Sequence, residues 1–164
     1  MSDYKRTSQI CTYTELPAIL QLALHQEAED HHCGQIPEDI MICIQTISQH
    51  KEAGILTRFK NRLTGLPKPG SIQHSAAIIV PGWLIWAFTN WNSDSKATAL
   101  SVRLNEAEIT DYAHNDLIED YGLNIIGVSS GSLERSLMFL GLGQSRDAEQ
   151  FKQFLQQAAQ QSIT

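Results

Sequence analysis

No HExxH pair, Walker loop or dinucleotide fingerprint occurs in this sequence, and no CxxC pair either. Those absences remove the commonest sequence grounds for metalloprotease, nucleotide-hydrolysing or dinucleotide-dependent chemistry, so a role without catalysis and without a cofactor is expected. Cysteine is scarce and odd in number. Cys11, Cys33 and Cys43 do not make a complete disulfide framework, which fits a reducing compartment and a cytoplasmic address. Long apolar runs are missing as well: the longest, residues 76–88, is interrupted by Pro81-Gly82 and is too short for a bilayer span, so the chain is not expected to be transmembrane. Lys5 and Arg6 are followed by polar residues, without the apolar centre of a signal peptide. Positive charge is also in short supply. Lys and Arg number 12 against 18 Asp and Glu, and the net charge of −6 argues against a nucleic-acid-binding face.

What is present is an ordinary globular composition, 42% hydrophobic and 18% charged, in a chain of 164 residues. That length suits one domain with a core of its own. Residues 75–90, SAAIIVPGWLIWAFTN, organise the rest. Two runs of β-branched, aromatic and aliphatic residues flank Pro81-Gly82, where proline pre-sets φ for a tight turn and glycine accepts the positive φ that follows. The expectation is a β-hairpin. On its second strand Leu84, Trp86 and Phe88 point one way and Trp83, Ile85 and Ala87 the other. Both faces are apolar, so the one bearing Trp83 and Ile85 is either covered by an N-terminal helix or used as an interface, for a protein partner or for self-association.

Residues 1–13 read as polar, unpatterned and mobile. Leu16, Ile19, Leu20, Ala23 and Leu24 then recur at the spacing of one helix face, predicting a helix from about residue 15 to the low thirties with Thr14 as its cap and Gly34 as its stop. Near its end His25, Glu29, His32 and Cys33 are residue types that bind zinc, although the plain alternative, a solvated helix end, needs no metal. Residues 40–47 predict a strand, and residues 53–70 fit either a helix or a strand. A turn is expected at residues 92–95 and strands at 98–104 and 109–113. A second hairpin, 123–129 with 135–142, turns at Ser130-Gly131. Ser145 then caps a final helix whose stripe is Ala148, Phe151, Leu155 and Ala158.

About seven strands and a C-terminal amphipathic helix make an α+β order. IIVPGWLIWAFTN, ALSVRL followed by EITDY, GLNIIGVSSG, and SLMFLGLG running into SRDAEQFKQFL are together similar to the bacterial pleckstrin-homology-like (PH-like, GRAM-like) domains. The resemblance covers residues 36–160, leaving residues 1–35 as an N-terminal extension with the amphipathic helix. It implies a bent β-sandwich or partial barrel capped by the C-terminal helix, and a scaffold that binds proteins, peptides or lipids without catalysis. A helix-grip fold around an apolar small molecule, or an assembly module, is the alternative.

One asymmetry bears on the ligand. Between Glu52 and Asp94 no acidic residue occurs, whereas Arg58, Lys60, Arg62 and Lys68 all fall there. With Lys51, which precedes Lys60-Asn-Arg62 by a short interval, they are similar to the basic pattern by which some PH domains hold phosphoinositide headgroups. An anionic lipid headgroup or an acidic protein is the expected partner, and a solvated basic loop is the plain alternative.

Overall fold

The computed structural model describes residues 4–51, 67–68, 70–112 and 120–163, with the side chain of Asp94 excepted. Among these residues the fold is α+β, with eight strands in two antiparallel sheets and two α-helices. Strands β1 (Tyr4–Ile10), β2 (Ile42–His50), β3 (Ile72–Val80), β4 (Trp83–Asn90) and β5 (Ser93–Arg103) form a five-stranded meander. Strands β6 (Glu108–Asp111), β7 (Gly122–Val128) and β8 (Arg135–Gly141) form a second sheet of three. The described strands do not close a barrel. An isolated bridge between Val102 and Ser129 brings the end of β5 against the turn that follows β7.

The central hairpin forms as its sequence requires. Val80 pairs with Trp83 across Pro81-Gly82, and Gly82 takes φ 80, a conformation that side-chain-bearing residues avoid. Both faces of this hairpin are buried because the five-stranded sheet is covered on both sides. On the inner face Ala77, Ile79, Leu84 and Trp86 join Leu123, Ile125 and Leu140 of the smaller sheet. Helix α2 (Arg146–Ser162) completes that core with Ala148, Phe151, Leu155 and Ala159. On the outer face Ala76, Ile78, Val80, Ile85 and Ala87 meet helix α1 (Ala18–Asp30) through Leu20, Leu24 and Ala28. A half-covered strand would alternate apolar with polar residues, whereas these strands alternate apolar with apolar.

Several expectations need correction. Residues 4–10 are a strand, not an unpatterned tail: Tyr4 to Ile10 pair with His50 to Ile44 in continuous register. Its side chains are mostly polar because β1 is an edge strand whose outer residues Lys5, Thr7 and Gln9 face solvent. The α1 helix begins later than expected. Glu15 accepts hydrogen bonds from the Thr12 N–H at 2.7 Å and hydroxyl at 2.8 Å, closing a short 3-10 turn over Tyr13–Glu15. The same bonds, the backbone one first, hold the Glu15 carboxyl below the usual carboxylate range. Leu16 and Pro17 are then extended, as a residue before proline tends to be, and the helix starts at Ala18. The turn expected at 92–95 lies at Trp91-Asn92, with Asn92 at φ 62. Residues 53–66, for which helix and strand were both open, lie outside the described residues.

β1 and α2 tie the two ends of the chain together. Ser145 accepts from the Ala148 N–H at 3.1 Å as the helix cap and donates to the Ser8 carbonyl at 3.0 Å. Asp147 accepts from the Ile10 N–H at 2.8 Å. Arg6 crosses to Asp120 beside β7.

Candidate functional site

The hydrogen bonds that close β2 onto β3 gather the basic residues. The His50 N–H donates to the Ser71 carbonyl at 2.9 Å, and the Gly70 N–H to the His50 carbonyl at 2.8 Å. Ser71 N–H also donates to the Lys68 carbonyl at 3.0 Å. The two ends of the β2–β3 connection are thereby clamped, and Lys51 and Lys68 stand exposed on either side of the clamp. Arg58, Lys60 and Arg62 belong to the same connection by sequence but lie outside the described residues.

Two further lysines share this end of the sheet, and the sequence reading did not include them. Lys5 on β1 faces Gln49 on β2, and Lys96 lies beyond the irregularity at Thr89 and Asn90 where β5 leaves the β4–β5 turn. That turn is fixed to β3: the Asn92 N–H donates to the Ile72 carbonyl at 3.1 Å and its side-chain amide to the Ser71 hydroxyl at 2.7 Å. Lys5, Lys51, Lys68 and Lys96 are all exposed, and none forms an ion pair with another described residue. Asp3, Glu52 and Asp94 accompany them in the sequence without cancelling the excess. The signal that would have found Lys5 and Lys96 is the strand register, which a local charge count does not see.

Apolar side chains accompany the lysines. Ile47 and Ile72, each 42% exposed, lie on the same outer face as Lys5, beyond the part that α1 covers. Next to them the edge is aromatic. The Tyr4 ring lies 5.2 Å from His50 and 5.7 Å from Trp91, centroid to centroid. His50 is buried, and its Nδ1 finds no hydrogen-bond partner among the described residues.

Arg6 is not part of this free positive charge. Its side chain is 9% exposed and makes a two-pronged pair with Asp120, Nε to Oδ1 at 2.8 Å and Nη2 to Oδ2 at 2.6 Å, while Nη1 donates to the Ser48 hydroxyl. The Tyr4 and Phe139 rings lie near its guanidinium. A Cβ at Gly141 would collide with the Arg6 guanidinium, so glycine there leaves room for it.

The remaining candidates fall elsewhere. Ile85 is fully buried beneath α1, so this face is covered rather than open at that position. Trp83 is half-buried at the opposite end of the sheet, with the Arg103 guanidinium 5.1 Å from its ring. His25 and Glu29 approach to 3.2 Å on an exposed side of α1, His32 follows the helix at φ 54, and Cys33 is buried. Among the described residues no group of three or more His, Cys, Asp or Glu is arranged to hold a metal ion.

One serine motif escapes the sequence reading above. Gly127-Val-Ser-Ser-Gly131 has the GxSxG spacing of many hydrolases. In those enzymes the serine occupies a sharp strand-to-helix turn beside its histidine. Here the string ends β7 and turns into β8, with the Ser130 hydroxyl accepting from the Ser101 N–H at 3.1 Å. His31 lines the same recess of about 240 Å³. Its close polar neighbour is Glu27 at 3.8 Å, not either serine. Among the described residues no hydrogen bond joins His31 to Ser129 or Ser130.

No family model matches this chain, nor does any curated protein or solved structure.

Proposed function

We propose that this chain is a non-catalytic, PH-like binding module that docks on an anionic phospholipid surface through the lysine-bearing end of its five-stranded sheet. The observation that carries the reading is the set Lys5, Lys51, Lys68 and Lys96, exposed together and without ion-pair partners among the described residues, with Ile47 and Ile72 exposed beside them. A lysine near an anionic membrane gains on the order of 1 kcal/mol, so several add up to measurable association. The two isoleucines favour a lipid surface over an acidic protein, because their apolar side chains can enter the interfacial layer while the lysines meet headgroups.

The PH-like part of the reading is supported by element order: a four-stranded meander β2–β5, a three-stranded meander β6–β8, then a helix inserted against both. The core contents favour it over a helix-grip fold. Trp86, Phe151 and Leu155 are buried between the sheets and α2, where a helix-grip protein would need room for a guest.

Flotation with vesicles of phosphatidylcholine, with and without phosphatidylserine, tests the proposal. The protein is expected to float with the anionic vesicles at about 0.1 M salt and to be released near 1 M, as the Debye length falls from ~10 Å to ~3 Å. Lys51→Glu with Lys68→Glu should abolish flotation without moving the unfolding midpoint. Failure of the wild type to float at low salt sinks the lipid reading. Loss of an acidic protein from the same double variant in a pull-down would then move the site to that partner.

A further inference from the structure

We propose that Cys11 and Cys43 are a paired thiol site that closes into an intramolecular disulfide by exchange with a small-molecule disulfide of the glutathione type. The register of β1 and β2 brings them together. Ile10 faces Ile44, and one step further the Cys11 N–H donates to the Cys43 carbonyl at 3.1 Å. Residues opposed in this way across an antiparallel ladder have Cα atoms ~5.5 Å apart, inside the ~4.4–6.8 Å that a disulfide spans. The two sulfurs already lie 3.8 Å apart. Closing the bond needs side-chain rotation and leaves the strands paired.

Access is one-sided. Both thiols line a recess of about 410 Å³ whose walls also include Tyr13, Pro37 and Ile40. Cys11 is half-buried at this recess, whereas Cys43 is 2% exposed. The order of events follows from that difference. The Cys11 thiolate attacks one sulfur of the small disulfide, forming a mixed disulfide and expelling one thiolate, which takes up a proton. The Cys43 thiolate then attacks Cys11 Sγ, forming the internal bond and expelling the second small thiol. The protein loses two protons and two electrons, and the small disulfide takes them up to become two thiols. Cys33 is buried in the same core as Cys43, but its polar neighbours are Ser101 and Glu27, and among the described residues the sulfur contact joins only Cys11 and Cys43.

The surroundings set the pace. Burial, the largest cause, pushes both thiols above the ordinary cysteine range, and the Glu15 carboxylate adds to the rise at each. Tyr13 also lies beside the pair, and the Asp147 carboxylate accepts from the Ile10 N–H one residue before Cys11. Thiolate is therefore scarce at neutral pH, and the exchange rate should climb about tenfold per pH unit below the Cys11 pKa. The bridge would close a loop that contains all of α1. The oxidised protein should consequently melt at a higher temperature than the reduced one.

The test treats reduced, folded protein with oxidised glutathione at mildly alkaline pH, followed by alkylation, intact mass and non-reducing peptide maps. One Cys11–Cys43 bridge is expected, reversed by dithiothreitol, with Cys33 alkylated only after unfolding. Cys43→Ser should stop at a stable glutathione adduct on Cys11. A bridge containing Cys33, a persistent Cys11 adduct in the wild type, or protein unchanged by the treatment would overturn the proposal. Should Cys43→Ser fail to fold, the wild-type map decides by itself.

Discussion

Arg6 shows how far a single residue's role can lie from its local sequence. It belongs to a polar stretch at the start of the chain, yet its partner Asp120 is 114 positions away. Nothing within a few residues of either predicts the pairing. Residues 4–10 read as unpatterned because a strand with polar residues on both faces looks like loop until its partner is known. A buried ion pair is weak evidence of net stabilisation, whereas breaking one leaves an uncompensated charge and costs about 3–5 kcal/mol. Asp120→Ala should therefore lower the unfolding free energy by roughly that amount in urea titration. Arg6→Met combined with Asp120→Leu should recover much of the loss, because no orphan charge remains. A single variant within about 1 kcal/mol of wild type would mean that solvent reaches the guanidinium, as for an exposed pair.

At the scale of the element, α2 was the most legible part of the chain. Its cap, acidic first turn and apolar stripe all point one way, and Ala148, Phe151 and Leu155 are fully buried as expected. The stripe ends on Ala159 rather than Ala158, a drift natural to a period of 3.6. Phe151→Ala removes a buried aromatic and should cost about 3–5 kcal/mol. Lys152, the next residue, is less idle than its off-stripe position suggests. Its Nζ reaches Asp111 at 3.0 Å and Glu149 at 3.1 Å, and its side chain is 15% exposed. Burial opposes its charge, but the two carboxylates outweigh burial and raise its pKa. Because both partners are exposed, Lys152→Ala should cost about 1 kcal/mol or less. That contribution is complete below the unfolded lysine pKa and is lost as pH rises through the higher folded value, so it should be unchanged from pH 6 to 9. Equal losses for the two variants would show that Phe151 does not fill the space between the sheets.

Over the whole molecule, one sheet is shared by two cores and charge is divided between its ends. The double apolar face of the hairpin was readable, and so was the α1 stripe. That the two cover each other was one of two open readings, because contact between distant elements leaves no local period. Charge division follows the fold: between Arg6 and Lys51 there is no Lys or Arg and there are six Asp and Glu. That span supplies α1 and the approach to β2, leaving the lysines at the far end of the strands. The weight of the outer core can be measured at α1, although not by truncation. Removing the N-terminal residues through Gly34 would also delete β1, unpair the edge of β2 and orphan Asp120. Point changes are cleaner. Leu20 and Leu24 are both fully buried against the sheet, whereas Leu22 between them is 64% exposed. Leu20→Ala and Leu24→Ala should each cost about 2–5 kcal/mol, while Leu22→Ala should stay within about 0.5. Being one helical turn apart, the two buried leucines share neighbours, so their double variant need not equal the sum. Even a sub-additive loss is a large part of the ~5–15 kcal/mol that holds a domain of this size folded. The double variant is therefore expected to melt far below the wild type, and to bind an apolar dye as Ile78, Ile85 and Ala87 become uncovered. If its melting temperature instead matches that of Leu22→Ala, α1 lies on the sheet without holding it.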